Sequence, residues 1–315
     1  MNKPEILQIG DYPEWDQVVL DELFTVHRFY EADDKAAFLA EHGSGIRGVA
    51  TRGDLAVPRD IIEALPNLEI ISVYGVGYDG VDVAAAEENN VQVTNTPGVL
   101  TGDVADFAVG MMLALSRSIA TGHNLVAAGK WQSEGGLPLA ARVHGRRAGV
   151  LGLGRIGRAI ANRLAAFDME ISYSSTAEKS DVPADWSYIA DPVALAEASD
   201  FLFIASTANA ATHHIVNKEV MDALGPEGMV VNISRAANID EEAMLDALEA
   251  KTLGFAALDV FEGEPAVNPR FLALDNVLLQ PHQGSGTVHT RKAMGDLVRE
   301  NLVAHFNGKP LLTPI

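Results

Sequence analysis

Residues 152–157 read GLGRIG, with the strand-like run AGVLGL (148–153) leading into them and the helix-like RAIANRLAAF (158–167) following. Glycines spaced G-x-G-x-x-G between a strand and a helix permit a tight turn, close approach to a pyrophosphate and close helix–sheet packing. The same spacing occurs earlier, in GVGYDG (75–80) after LEIISVY (68–74). The glycines alone therefore do not decide which loop holds a dinucleotide, but charge and helix length do. A pyrophosphate binds free N–H groups at a helix start, where a carboxylate would repel it. The later loop carries Arg155 and Arg158 and opens a helix of about three turns, in which Gly157 and Ala161 allow close packing on the sheet. The earlier loop carries Asp79 and Asp82 at the start of a helix of about two turns. The dinucleotide is assigned to Gly152, Gly154 and Gly157.

Working outward, strand-like runs alternate with helix-like ones. EILQIG (5–10), IRGVAT (46–51) and VQVTNT (91–96) flank the first glycine loop, with DIIEALPNL (60–68) as a helix. EISYSS (170–175), FLFIAS (201–206), MVVNIS (229–234), GFAALDV (254–260) and NVLLQ (276–280) follow the second, with DEEAMLDALEA (240–250) as a helix. Such alternation predicts parallel sheets covered by helices. From Asp103 on, Val104, Phe107, Met111, Leu115 and Ile119 follow helical spacing, with Thr101 or Gly102 as the cap. Met111 and Met112 read as packing residues. VHTRKAMGDLVRENLVAHF (288–306) reads as one long helix. The first series lacks a final helix, so this one is expected to return to it. The predicted fold class is α/β, with two doubly wound domains. A Rossmann cofactor domain (101–286) is inserted in a flavodoxin-like substrate domain (1–100 and 287–315).

Lys and Arg total 23 against 43 Asp and Glu, a net charge of −20, and there is no cysteine. The acidic balance argues against a nucleic-acid partner, and disulfides and thiolate metal sites are excluded. No run approaches the roughly 18 apolar residues of a membrane span. The expectation is a soluble cytoplasmic protein with neither nucleic acid nor membrane as partner. His213 and His214 are adjacent rather than at ligand spacing, and no metal is expected.

An NAD site usually places a carboxylate about 20 residues after the glycine loop, on the ribose 2′-hydroxyl. Here that place reads YSSTAEK (173–179), with no acid before Glu178. Ser174, Ser175 and Thr176 could donate to a 2′-phosphate and Lys179 could add charge, which favours NADPH while leaving NADH possible. Ionisable residues stand at three further strand ends: Arg235 in NISRAANIDEEAML (232–245), Asp259 and Glu264 in ALDVFEGEP (257–265), and His282 in LLQPHQGSGT (278–287). Reduction of a carbonyl by a nicotinamide needs hydride at its carbon and a proton for its oxygen. Histidine can supply that proton near neutral pH. A neighbouring carboxylate, Glu264, would favour the protonated ring and orient it. The Arg235 guanidinium can bind a carboxylate and polarise a carbonyl oxygen.

In these segments the chain resembles the D-isomer-specific 2-hydroxyacid dehydrogenase family. The N-x-x-R, D-V-F-x-x-E-P and P-H segments, the last before a G-S-x-T turn, follow the glycine fingerprint in the family order. VYGVGYDGVDV (73–83), NTPGVLTGDVADFAVG (95–110) and GKWQSEGGLPLAARVHGRRAGVLGLGRIG (129–157) look like the family as well. The likeness leans toward glyoxylate/hydroxypyruvate reductases, with hydroxyphenylpyruvate and 2-ketogluconate reductases as alternatives. A non-catalytic protein that senses NAD(P)H is the rival of a different class.

The resemblance implies catalytic roles for Arg235, Glu264 and His282. It implies that Arg52, Val76, Gly77, Arg235 and His282 bind a small 2-keto acid, with Tyr74, Trp131 and Gln283 near the pocket. Small residues in GVGYDG would let the Val76 and Gly77 N–H groups approach the substrate carboxylate. Cofactor contacts are implied for Val104, Gly152, Gly154, Arg155, Ile156, Gly157, Ser174, Ser175, Thr176, Ser206, Thr207, Ile233, Ser234, Arg235, Asp259, His282 and Gly284. The helix from Asp103 and the loop to Pro138 resemble a dimer arm. That implies a homodimer in which Trp131 or Leu137 reaches the neighbouring subunit. Ala236 stands where the family usually has Gly, Thr176 where NADPH-preferring members often have Arg, and Gln283 where many have an apolar residue.

Overall fold

The computed structural model describes residues 3–315. The chain folds as two compact units, Met1–Leu100 with Thr287–Ile315, and Thr101–Gly286.

In chain order the first unit runs β1 (Glu5–Gln8), α1 (Glu14–Leu23), β2 (Thr25–Arg28), α2 (Lys35–His42), β3 (Ile46–Arg52), α3 (Arg59–Glu63), β4 (Ile70–Tyr74), α4 (Val83–Glu88) and β5 (Gln92–Thr94). The second runs α5 (Thr101–Ser116), α6 (Ile119–Ala127), α7 (Trp131–Glu134), β6 (Arg147–Leu151), α8 (Arg155–Ala165), β7 (Glu170–Ser174), β8 (Ser187–Tyr188), α9 (Pro192–Glu197), β9 (Phe201–Ile204), α10 (Lys218–Leu224), β10 (Met229–Asn232), α11 (Glu241–Glu249), β11 (Phe255–Leu258), α12 (Pro269–Leu272) and β12 (Val277–Leu279). The last helix, α13 (Val288–Phe306), belongs to the first unit.

The first unit's five strands are ordered β2-β1-β3-β4-β5 and pair in parallel. Every residue of β4 is buried, as expected of a strand covered on both faces. α13 packs on β4 and against α1, and Ile46, Val49, Ile62, Ile71 and Val73 form part of a core cluster. The second unit's seven strands are ordered β12-β11-β10-β9-β6-β7-β8, all parallel. The strand order reverses at β6, between β7 and β9. Doubly wound sheets bind ligands at such switch points, beyond the carboxyl ends of the strands.

Two sequence expectations change. Thr101 and Gly102 do not cap α5; both lie in its first turn. Its buried face is Val104, Ala105, Ala108, Val109, Met111, Met112 and Ser116, so Phe107 and Leu115 sit at the margin. Ile119 belongs to α6, beyond a left-handed residue at Ser118 (φ 51°), and is 57% exposed. α5 and α6 together have the length and composition of a membrane span but are bent by 61°, and among the described residues no single helix is long and apolar enough to be one. The short strands β2 (TVHR) and β8 (SY) carry no apolar run that would announce them.

Candidate active site

The glycine loop at the switch point is shaped by backbone contact. Gly152 is left-handed (φ 99°), and a Cβ there would lie 2.5 Å from the Ser206 amide nitrogen. A Cβ at Gly157 would collide with the Gly152 carbonyl oxygen, whereas one at Gly154 would meet nothing within 4 Å. Two glycines are therefore demanded by the protein itself, and the third leaves a face open. α8 begins at Arg155 with no side-chain cap, so its first N–H groups point out of the helix start. These are the features a pyrophosphate requires, and the residues present fit a dinucleotide. Arg155 is exposed and has no ion pair among the described residues. Arg158 is instead engaged by Asp181, donating to its carboxylate at 2.8 Å and its carbonyl at 2.6 Å. The hydrogen bond to Arg158 holds the Asp181 carboxyl below its usual range. Arg158 thus contributes less free charge to the loop than the sequence suggested.

At the end of β7 the hydroxyl of Ser174 is buried and donates to the Ala190 carbonyl at 3.1 Å. That bond occupies the donor that the sequence offered to a 2′-phosphate. Ser175 bonds to the Ala177 carbonyl at 2.5 Å, and Thr176 is exposed.

The loops after β9 and β10 are tied together by Asn238, which is fully buried. Its amide donates to the Ser206 carbonyl at 2.9 Å and the Ser234 hydroxyl at 3.0 Å. Thr207 lies exposed beyond Ser206, and Ile233 is buried at the end of β10. Asn232 accepts from both the N–H and the hydroxyl of Ser234 and donates to the Arg235 carbonyl at 3.0 Å. The Arg235 guanidinium donates to the Ser234 carbonyl at 2.9 Å.

Beyond β11 and β12 the chain builds an acid–histidine pair. Nδ1 of His282 lies 2.6 Å from Oε1 of Glu264. The other Glu264 oxygen accepts the Phe261 N–H at 3.2 Å. Burial pushes the Glu264 carboxyl up, but the His282 hydrogen bond and charge, the Phe261 N–H and the Arg235 charge outweigh it, and the net shift is downward. Glu264 is therefore ionised at neutral pH and accepts the proton on Nδ1, which leaves Nε2 outside the pair. His282 is itself left-handed (φ 53°), which costs a non-glycine residue about 1–2 kcal/mol. Its N–H donates to the carbonyls of Asp259 at 3.0 Å and Gln280 at 3.1 Å. The buried Asp259 carboxylate accepts the N–H groups of Gln283 at 2.6 Å and Gly284 at 2.8 Å. Burial raises its pKa, against the effect of those two N–H groups and of His282. Val104 of α5 reaches the same place: a Cβ at Gly284 would lie 3.0 Å from Asp259 and 3.6 Å from Val104.

Sequence reasoning missed Asn238 and Glu241. The Glu241 carboxylate is buried at the start of α11 and accepts the Glu262 N–H at 2.9 Å. In sequence it is one acid of an ordinary helix start, with no signal of that tether. The His213 and His214 rings stack with centroids 3.9 Å apart, and no group of three metal-ligating side chains occurs among the described residues.

In the first unit, Asp82 caps α4 by accepting the Ala85 N–H at 2.8 Å. The loop after β4 holds Val76 and Gly77, whose N–H groups have no acceptor among the described residues. Arg52 is held by Asp54 at 2.5 Å and by Asp11 at 3.0 Å. Tyr74, expected near the pocket, is only 5% exposed. Its hydroxyl donates to the Arg291 carbonyl at 2.5 Å, so it belongs to the unit's interior.

The second unit carries a dinucleotide-shaped loop after β6, a guanidinium after β10 and an oriented histidine after β12, all at the carboxyl ends of one parallel sheet, the parts a nicotinamide-dependent dehydrogenase uses. Residues 109–284 match the family model described as D-isomer specific 2-hydroxyacid dehydrogenase, NAD binding domain, and the chain belongs to that family. It is 46% identical over 296 residues to hydroxyphenylpyruvate reductase of Plectranthus scutellarioides, covering 94% of each chain. Its structure is similar to that of a 2-hydroxyacid dehydrogenase from Ketogulonicigenium vulgare Y25, at 63% identity and a TM-score of 0.93, covering 100% of this chain and 99% of the other. It is also similar to an NADPH-dependent glyoxylate/hydroxypyruvate reductase from Sinorhizobium meliloti in complex with NADP and malonate, at 40% identity and a TM-score of 0.94, covering 100% and 97%. The protein is an oxidoreductase that interconverts a 2-keto acid and a 2-hydroxy acid.

Proposed function

We propose that the protein reduces a small 2-keto acid of the glyoxylate or hydroxypyruvate kind to the D-2-hydroxy acid, and uses NADPH in preference to NADH. The observation that carries this reading is the 2.6 Å His282–Glu264 pair, which leaves Nε2 free to act. A bound nicotinamide supplies the hydride for the carbonyl carbon. The chain's own residues do the rest. Arg235 holds the substrate carboxylate and draws charge onto the ketone oxygen. His282 gives that oxygen a proton from Nε2, and Glu264 stabilises the ring before the transfer and orients it throughout. The N–H groups of Val76 and Gly77 are proposed as further donors to the substrate carboxylate, with Thr101–Gly286 as the cofactor unit and the other unit as the substrate unit.

NADPH is favoured because no carboxylate lies between Tyr173 and Ala177, where one would repel a 2′-phosphate. The NADP complex of the Sinorhizobium relative supports the same choice. The proposed assembly is a homodimer. Ile119, Val126, Trp131, Leu137 and Leu139 are exposed along the segment after α5, with Trp131 62% and Leu139 fully exposed. Apolar surface of that kind marks an interaction site.

A panel of glyoxylate, hydroxypyruvate, hydroxyphenylpyruvate and 2-ketogluconate, each with NADPH and with NADH, tests the proposal through loss of nicotinamide absorbance. Glyoxylate or hydroxypyruvate should give the highest kcat/KM. NADPH should be preferred about tenfold, the effect of one charge-assisted hydrogen bond. Preference for NADH would reject the cofactor assignment. No turnover with any 2-keto acid would reject the enzyme and favour the nucleotide-sensing alternative.

A further inference from the structure

The loop proposed to meet the substrate carboxylate is short and glycine-rich, yet it must present two N–H groups in a fixed direction. Its carbonyls show how. The Gly75 carbonyl accepts the Thr96 N–H at 2.8 Å, and the Val76 carbonyl accepts the Asn95 side-chain amide at 2.8 Å. In a trans peptide the C=O of one residue and the N–H of the next point in opposite directions. Anchoring the Gly75 and Val76 carbonyls therefore aims the Val76 and Gly77 N–H groups away from residues 95 and 96.

Asn95 is in turn held by a segment some 220 residues on in the chain. Thr313 donates its hydroxyl to the Asn95 carbonyl at 2.6 Å and accepts the Asn95 N–H on its own carbonyl at 3.4 Å. Around it the segment pairs with the open edge of β5, through an antiparallel bridge between Thr94 and Pro314 and an Ile315 N–H to Val93 carbonyl bond of 3.1 Å. Asn301 of α13, fully buried, fastens this segment. Its oxygen accepts the N–H groups of Leu312 at 3.0 Å and Thr313 at 3.2 Å. Its amide donates to the Thr313 hydroxyl at 2.9 Å and the Leu297 carbonyl at 2.8 Å. The N–H, carbonyl and hydroxyl of Thr313 and both the oxygen and the amide of the Asn301 side chain are thus engaged, and the line of contacts from Asn301 through Thr313 and Asn95 ends at Val76.

We propose that residues 312–315 form a strap, clasped by Asn301, that fixes the direction of the Val76 and Gly77 N–H groups through Asn95. Asn301, Thr313 and Asn95 are then positioning residues for the carboxylate of the keto acid. The inference rests on the reading of Val76 and Gly77 given above. A strap that merely covered the edge of β5 would affect stability without selecting one kinetic constant.

Two variants and one exchange measurement separate these cases. Thr313→Val and Asn95→Ala should raise KM for glyoxylate about five- to tenfold, keep kcat within about twofold, and leave NADPH affinity unchanged. Thr313→Ser, which keeps the hydroxyl, should restore the wild-type KM. Amide hydrogen exchange of residues 75–80, followed in the NADPH-loaded protein, should be slowed by oxamate in the wild type and faster in both variants. No slowing by oxamate in the wild type would overturn the Val76–Gly77 reading and the proposal with it. Slowing in the wild type, with KM and loop exchange unchanged in Thr313→Val and Asn95→Ala, would overturn the strap alone.

Discussion

Glu264 is held by His282 on one oxygen and by the Phe261 N–H on the other, and its charge orients the imidazole through Nδ1. Because its folded pKa lies below the ordinary value, the stabilisation it supplies is fully present above the usual carboxylate range and is lost only as pH falls through the lowered value. Glu264→Gln keeps the shape and removes the charge. Turnover of that variant at neutral pH should fall about 10²-fold while NADPH still binds. A variant that turns over as fast as the wild type would remove Glu264 from the mechanism. At this scale the sequence marks a charged or titratable residue after each of three apolar strands, Arg235, Asp259 and His282. It was silent on Asn238 and Glu241. Their contacts run between loops, and nothing in a linear pattern marks a polar side chain as buried.

Among elements, β4, β9 and β10 were legible because a strand buried on both faces is a continuous apolar run. The edge strands β2 and β8 need no such run, and the break between α5 and α6 falls at Ser118, which no pattern of apolar residues announces. The contact of α1 with α13 was not legible at all. There the buried Asp16 meets the Tyr74 hydroxyl at 3.4 Å and Arg299 at 3.8 Å, and a Cβ at Gly295 would collide with its carboxylate. Burial first, and Asp296 after it, raise its pKa from 3.8 to about 6, against the Arg299 charge and the Tyr74 and Trp15 hydrogen bonds. Between about pH 4 and pH 6 the unfolded chain gives up this proton while the folded chain keeps it, so stability falls as pH rises through that window, by up to about 3 kcal/mol. Asp16→Asn lacks that slope. Its Tm relative to the wild type should rise between about pH 4 and pH 7. A constant difference in Tm across that range would show that Asp16 does not titrate there.

Across the whole molecule, the strand orders of the two sheets follow from two βα series, and the long helix 288–306 was expected to close the first. α13 packs on β4 of that series. The two glycine loops separate by charge: Asp82 satisfies the start of α4 with its own carboxylate, whereas the start of α8 has no such cap. What composition could not convey is how the net charge of −20 is spent. Part of it lies on the surface of α11, where Arg270 meets three carboxylates, Glu242, Asp246 and Glu249. The central claim is that the second unit delivers a proton from His282 to the oxygen of a 2-keto acid. It is tested most directly by His282→Ala, assayed for NADPH binding by fluorescence and for turnover with hydroxypyruvate. The predicted result is unchanged NADPH affinity with turnover lowered about 10³-fold. Turnover close to that of the wild type would contradict it.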